Sequence, residues 1–421
     1  MTTATPPAHT PAALDSAASW QRMCIAIFVA TIGGVGLWSS VVILPFIETE
    51  FGLDRGAASL PYTATLTGFA IGGIMMGRMV DRFGVAVPVA FGAIMLAIGY
   101  LISSAITAYW QFILVQGVFI GFLGSSVSFG PLVADISLWF KKRRGLAVAV
   151  VASGNYLAGA VWPPIIQEMT TAYGWRVTHI GIGLAVLALM LPCALLLRRP
   201  PPVEAAEIPG TAVGARMTMP LSKPALMTVL VIAGLACCIA MSMPQVHIVA
   251  YCIDLGYGPA RGAEMLSLML GFGILSRLAS GVIADKIGGL GTLLLGSTLQ
   301  CFALFLYLPF DGLVPLYIVS AIFGLSQGGI VPSYALIVRD YFPAKEAGTR
   351  VSIVMMATVL GMAIGGWLSG VIYDFTGSYA VAFWNGIAFN MLNMAIALWL
   401  LTSRKPISDG GGAMPGRTAR A

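Results

Sequence analysis

Ser276-Arg277-Leu278-Ala279-Ser280-Gly281-Val282-Ile283-Ala284-Asp285-Lys286-Ile287-Gly288 places an arginine inside an otherwise apolar run and closes that run with Gly-x-x-x-Asp-Lys-x-Gly. Arg277 precedes Asp285 by eight residues, about 12 Å of helix at 1.5 Å per residue. If Asp285 marks a membrane face, the guanidinium lies deep in a hydrocarbon core about 30 Å thick. An unpaired cation at that depth costs several kcal/mol and by default marks a functional site. The bland alternative is an arginine that snorkels to the headgroups along its stem, a long reach from here.

The rest of the chain is as apolar as this stretch. Of its 421 residues 58% are hydrophobic and 10% charged, and the mean hydropathy is +0.89. Such a composition excludes a water-soluble globule and indicates a polytopic membrane protein. The net charge of +6 sits in short loops between apolar runs, where basic residues set orientation and meet anionic lipid; no nucleic-acid partner is expected. Cys24, Cys193, Cys237, Cys238, Cys252 and Cys301 all lie inside apolar runs without C-x-x-C spacing, which reads as packing with no disulfide and no metal. No cleavable signal peptide is evident, because the first run, Met23 to Phe46, is long enough to span.

Twelve apolar runs of spanning length follow one another, at about 23–46, 58–80, 85–106, 110–137, 146–168, 177–197, 224–253, 263–284, 290–309, 314–338, 351–373 and 380–402. The fold class is therefore an all-α membrane protein of twelve transmembrane helices. The longest polar stretch carries Pro200-Pro201-Pro202 and separates six runs from six. The expected domains are a disordered cytoplasmic segment 1–19, a six-helix half 20–197, a cytoplasmic linker 198–223, a six-helix half 224–402 and a cytoplasmic tail 403–421. With both termini cytoplasmic, the cytoplasmic segments hold 19 of the 23 Lys and Arg; the outer loops hold Arg55, Arg176 and Arg261, and Arg277 remains inside. Such an excess fixes the orientation.

The halves also repeat. Gly77-Arg78-Met79-Val80-Asp81-Arg82-Phe83-Gly84 follows the second run, and Gly281 to Gly288 follows the eighth, 204 residues later. Trp139-Phe140 before a basic loop and Tyr341-Phe342 before a mixed-charge loop are 202 residues apart, and two such near-equal offsets indicate duplicated halves around a midplane cavity that opens by rocking. In this motif Gly77 and Gly281 permit close approach of a neighbouring helix, Asp81 and Asp285 can accept from the free backbone donors at a helix N-terminus, and Gly84 and Gly288 permit the tight turn. Together with Arg82 these residues read as a gate whose contacts form in one alternate state and break in the other. Asp135, about two turns before the basic loop Lys141 to Arg144, is a candidate coupling carboxylate, but its position better suits a gating bridge to Arg78 or Arg82. Twelve helices in this duplication, bearing this loop, resemble the major facilitator superfamily.

A narrower resemblance rests on Trp139-Phe140-Lys141-Lys142-Arg143-Arg144-Gly145-Leu146-Ala147, on Ala152-Ser153-Gly154-Asn155, on Gly174-Trp175-Arg176, and on Arg277 with Gly281 four residues later. This pattern is similar to the monocarboxylate transporters and oxalate/formate antiporters, and covers nearly the whole membrane part. The resemblance implies a small organic anion held by Arg277. Three positions depart from it. The monocarboxylate transporters usually carry Asp or Asn where Gly273 stands, Ser40 replaces a first-helix lysine of the animal members, and the eleventh run has no lysine. One buried cation favours a monoanion.

The other polar residues within runs are candidates for orienting that anion or carrying a proton. His247 and Tyr251 share a helix face at i and i+4 beside Pro244, and a histidine can titrate near neutral pH. Tyr334, after Gly328-Gly329, can donate to a carboxylate. Asn155 lines the cavity or bonds a neighbouring carbonyl. Each has a structural alternative as an interhelical hydrogen bonder. Gly117-x-x-x-Gly121 and Gly361-x-x-x-Gly365 read as close helix crossings. The expectation is a secondary transporter, working as a monomer in a cell inner membrane without cofactor, that moves a monocarboxylate by proton symport or anion exchange. The alternative is an exporter of drugs or uncharged solutes in which Arg277 is structural. No nucleophile, metal-ligand or phosphate-loop pattern speaks for an enzyme.

Overall fold

The computed structural model describes residues 14–200, 217–218, 220–342, 344–403 and 405–406. Its spans, named in chain order, are α1 (Ala17–Phe51), α2 (Leu60–Phe83), α3 (Ala86–Ser104), α4 (Tyr109–Ile136), α5 (Gly145–Tyr173), α6 (Trp175–Leu196), α7 (Lys223–Asp254), α8 (259–287), α9 (289–306), α10 (Leu313–Tyr341), α11 (Ala344–Thr376) and α12 (Tyr379–Ser403). All but α2 fall within helices long and apolar enough to cross a membrane; α2 carries Arg78, Asp81 and Arg82 in its last turns. Between α1 and α2 lies the short helix Arg55–Ala58. Helices dominate because a membrane core offers no water to backbone groups, which must bond within their own segment.

The duplication reaches the backbone angles. Gly84 closes α2 with φ +75°, and Gly288 separates α8 from α9 with φ +75°. Gly52 and Gly256 are likewise left-handed 204 residues apart, and Gly174 and Gly377 203 apart. A residue with a Cβ resists that region, so glycine recurs where each half must turn back into the membrane.

Within each half the helices meet at small residues. A Cβ on Gly361 or Gly365 of α11 would lie under 3.0 Å from backbone oxygens of Leu235 and Ile239 on α7, so that expected crossing is present. Gly121 of α4 meets the Thr65 backbone of α2 in the same way. Lipid tails compete for apolar side chains as well as other helices do, so this close backbone contact is a main source of cohesion. At the α2 crossing α4 departs from a regular helix: Gln116–Gly124 is a π segment and Ser125–Ser128 a 3-10 turn, an irregularity the single run 110–137 did not announce. Between the halves, α2 packs on α11, where Thr63 Oγ1 donates to the Ala363 carbonyl at 2.9 Å, and α5 packs on α8, where Ser267 Oγ reaches the Ala160 carbonyl.

The chain is ordered earlier than expected. Asp15 Oδ2 accepts from the Lys141 and Lys142 amides at 3.1 and 3.0 Å, and the Lys142 amide above all holds this half-buried carboxyl below its ordinary pKa. The helix begins at Ala17, so disorder to residue 19 does not hold for 14–19. Residues 1–13, most of the linker and most of the tail lie outside the described residues; 217–218 and 405–406 pair as two-residue antiparallel strands.

Gly365→Val is expected to overpack the α7–α11 crossing, costing about 1–3 kcal/mol, and to lower the melting temperature in detergent. Gly73→Val, where a Cβ meets nothing within 4 Å, should leave it unchanged.

Candidate functional site

Arg277 lies where the two halves meet. From α8 its Nη1 donates to the Ala152 carbonyl of α5 at 2.7 Å and its Nε to the Gly328 carbonyl of α10 at 3.4 Å. The guanidinium carbon sits 4.3 Å from the centroid of Tyr156, also on α5. Among the described residues no carboxylate lies within ion-pair distance of it. The cation is thus held by dipoles and a ring face, which attract positive charge without neutralising it.

Tyr156 was not picked out from the sequence, and Gly273 explains its place. A Cβ at Gly273 would fall 2.5 Å from two Tyr156 ring carbons, so an Asp or Asn here would collide with the ring unless it moved. Glycine admits the tyrosine, and the tyrosine covers the arginine one turn later. Gln327 of α10 is also near: its Nε2 would be 3.7 Å from that Cβ. It pairs with Gln245 of α7, leaving Gln245 Oε1 and Gln327 Nε2 buried and unpartnered among the described residues. The Oδ1 of Asn155, beside Tyr156, is in the same condition, while its backbone carbonyl accepts from Trp38 Nε1 at 3.2 Å.

Three expected neighbours of Arg277 bond elsewhere. Tyr334 donates to Asn393 Oδ1 of α12 at 2.7 Å, and Asn393 in turn donates to Ser297 of α9; it ties the C-terminal half together. His247 is fully buried, with Nε2 2.7 Å from the Gly366 carbonyl and Nδ1 3.0 Å from the Tyr379 hydroxyl. Tyr251 packs its ring edge-on to Tyr379 and Phe383. His247 and Tyr251 therefore belong to a different site, beside Arg55 at the end expected to be the outer one.

That outer site is a seal across the halves. Arg55 donates to both oxygens of Asp254 at 2.8 and 2.7 Å, to the Tyr379 hydroxyl at 2.8 Å and to Glu48 at 2.9 Å. Asp374 accepts from the Arg55 and Gly56 amides at 2.8 and 2.7 Å. Burial alone would lower the Arg55 pKa, but Asp254 and its other partners raise it overall, so the seal keeps its cation. No single run announced this, because the partners come from four separate elements.

At the end opposite Arg55, expected from the Lys and Arg distribution to be cytoplasmic, the expected gate is apart. A Cβ on Gly77 or Gly281 would meet nothing within 4 Å, Asp81, Arg82 and Asp285 are exposed, and among the described residues none of the three forms an ion pair. Gly84 and Gly288 do make the expected turns. With the Arg55 end closed and these loops apart, this conformation is open toward the Gly77–Gly84 and Gly281–Gly288 loops, the side that the Lys and Arg distribution predicts to be cytoplasmic. Asp135 requires a correction: it pairs bidentately with Arg22 at 2.7 and 2.8 Å, not with Arg78 or Arg82. Arg22 also donates to the Leu197 and Arg199 carbonyls and lies over Trp139, so Asp135 binds α1, α4 and α6 within one half.

The profile of the Major Facilitator Superfamily matches residues 24–316 and 290–419. The chain belongs to the major facilitator superfamily. Monocarboxylate transporter 13 of Bos taurus is 28% identical to this superfamily member over 369 residues, 84% of this chain and 83% of that protein. MFS-type transporter 1 of Ophiocordyceps sp. (strain BCC 1869) is 25% identical over 382 residues, 88% and 81% of the two chains. A crystal structure of a bacterial homologue to the human lysosomal transporter Spinster, inward-facing and occupied, matches with TM-score 0.67 at 13% identity over 90% of this chain and 96% of that one; it bears on the fold alone. This superfamily member is a multi-pass membrane transporter.

Asp135→Asn would leave Arg22 buried without a counter-charge, which costs about 3–5 kcal/mol. Thermal unfolding in detergent should show a large loss for Asp135→Asn and little for Arg78→Gln.

Proposed function

We propose that this transporter moves a small organic anion, a monocarboxylate, by alternating access, with Arg277 as the anchor for the carboxylate. The observation that carries the proposal is the bonding of Arg277: two carbonyls, a ring, and no carboxylate among the described residues. A bound carboxylate supplies the missing charge and can take a charge-assisted, bidentate pair. Asn155 Oδ1, Gln245 Oε1 and Gln327 Nε2, each buried without a partner among the described residues, are the atoms available nearby to orient the rest of the substrate. The bovine relative, a monocarboxylate transporter by name, agrees with this reading. Neutralising Arg277 with the anion, with or without a proton, lowers the cost of closing a charged cavity, so symport and exchange both follow from the same anchor.

The carrier is proposed to work as a monomer in lipid, with both termini cytoplasmic, an orientation supported by the distribution of Lys and Arg. A cell inner membrane is the location suggested by composition, and membrane fractionation tests it against the fungal and mammalian relatives. A second reading, export of uncharged solutes, is favoured by the Arg277 bond to Ala152, which bridges α5 and α8 and would serve a structural arginine equally well.

Uptake of radiolabelled carboxylates into proteoliposomes separates the two. Charged hydrogen bonds contribute about 1.5–3 kcal/mol, so Arg277→Gln is expected to lose at least about tenfold in monocarboxylate uptake. Dependence on an inward proton gradient identifies symport, and dependence on internal anion identifies exchange. Normal uptake by Arg277→Gln, or carboxylates that neither move nor compete, would leave Arg277 as a bridge.

A further inference from the structure

We propose that His247 is a proton-binding site that unlatches the outer seal. The proposal rests on the alternating-access reading but not on the identity of the substrate. A carbonyl oxygen only accepts, so the bond of 2.7 Å from Nε2 to Gly366 places the ring proton on Nε2. Nδ1 is then bare, and the Tyr379 hydroxyl, 3.0 Å away, donates to it. The Tyr379 oxygen, its proton directed at His247, is left to accept from Arg55 Nη1 at 2.8 Å. A neutral His247 thus orients Tyr379 to hold Arg55, and Arg55 holds the seal.

A second proton on the ring reverses this order. Nδ1 becomes a donor, two donors then point at the Tyr379 oxygen, and the hydroxyl proton must turn away from both. The added positive charge also stands one hydroxyl from the Arg55 guanidinium, in a pocket closed to water. Other groups face the pair from each neighbouring element: Glu48 from α1, Tyr62 from α2, Tyr251 and Asp254 from α7, Tyr373 and Asp374 from α11. The three carboxylates attract the proton, but Asp254 and Glu48 are bonded to Arg55 and Asp374 to backbone amides. The protonated ring therefore gains most by hydration, which requires the seal to part. A ligand that binds the open form more tightly shifts the population toward it, so acid favours the outward-open state and alkali the sealed one.

The test measures opening directly. Fluorescent amino acids introduced at positions 107 and 310, exposed in outer loops of the two halves, report their separation by energy transfer in proteoliposomes as external pH falls from about 8 to about 5, across the ordinary histidine range. The wild type should open over this range. His247→Gln, whose amide can donate to Gly366 and accept from Tyr379 without titrating, should stay closed throughout. Tyr379→Phe, which removes the hydroxyl, should open more at pH 8 and respond less to acid. A wild type that does not open, or a His247→Gln protein that opens with the same midpoint, overturns the proposal; the second result would assign the response to the carboxylates. Because no substrate enters the assay, failure of the carboxylate reading would not alter its outcome.

Discussion

A guanidinium at the middle of a membrane protein is costly unless its donors and its charge are met, and Arg277 is only half-buried in this conformation. Here the satisfaction is partial by construction. Ala152 and Gly328 offer carbonyls and Tyr156 offers a ring face, which fill donor directions while leaving the charge. A carboxylate partner in the protein would stabilise the empty site and compete with any anion. Carbonyl and ring partners give the cation a defined position at lower competition, because a carboxylate brings a full opposite charge and a bidentate fork whereas a carbonyl brings only a dipole. Since those partners come from α5 on one side and α10 on the other, the cation also senses how the two halves are set against each other.

The two membrane faces solve opposite problems. The outer face buries Arg55 with Asp254, Tyr379 and Glu48, and such a cluster is hard to break one partner at a time because each lost partner strands the others. The opposite face leaves Gly77 and Gly281 without neighbours within 4 Å of a Cβ. No neighbour approaches those glycines in this conformation, whereas Gly84 and Gly288 already hold their left-handed turns. Local turn geometry and inter-half contact are thus separate properties of one short motif.

Most of the fold was legible in the sequence because it rests on local properties: run length, hydropathy, breaks at proline and glycine, and the offset between copies of a loop. What escaped depends on partners far apart in the chain. Asp135 and Arg22 are 113 residues apart and Arg55 and Tyr379 324 apart, so the residues flanking each say nothing about the pairing. Arg22 lies one residue before the first apolar run and reads as a flanking charge, yet it is buried. His247 and Tyr251 do share a face, as their spacing indicates. That face meets Tyr379 and Gly366, a fact about α11 and α12 that α7 cannot encode.

Gly273 shows how a departure from a family pattern acquires meaning only in three dimensions. In sequence it is a missing polar residue one turn before the arginine, which reads as a weaker site. In the structure the missing side chain is space, and Tyr156 fills it with a ring whose carbons lie 2.5 Å from where a Cβ would be. The ring then lies over Arg277. An Asp at that position would bring a negative charge beside the cation; a tyrosine from the opposite half brings only a ring face and leaves the charge unneutralised. The same substitution also couples the cation to α5, so that motion of one half against the other changes what covers the charge.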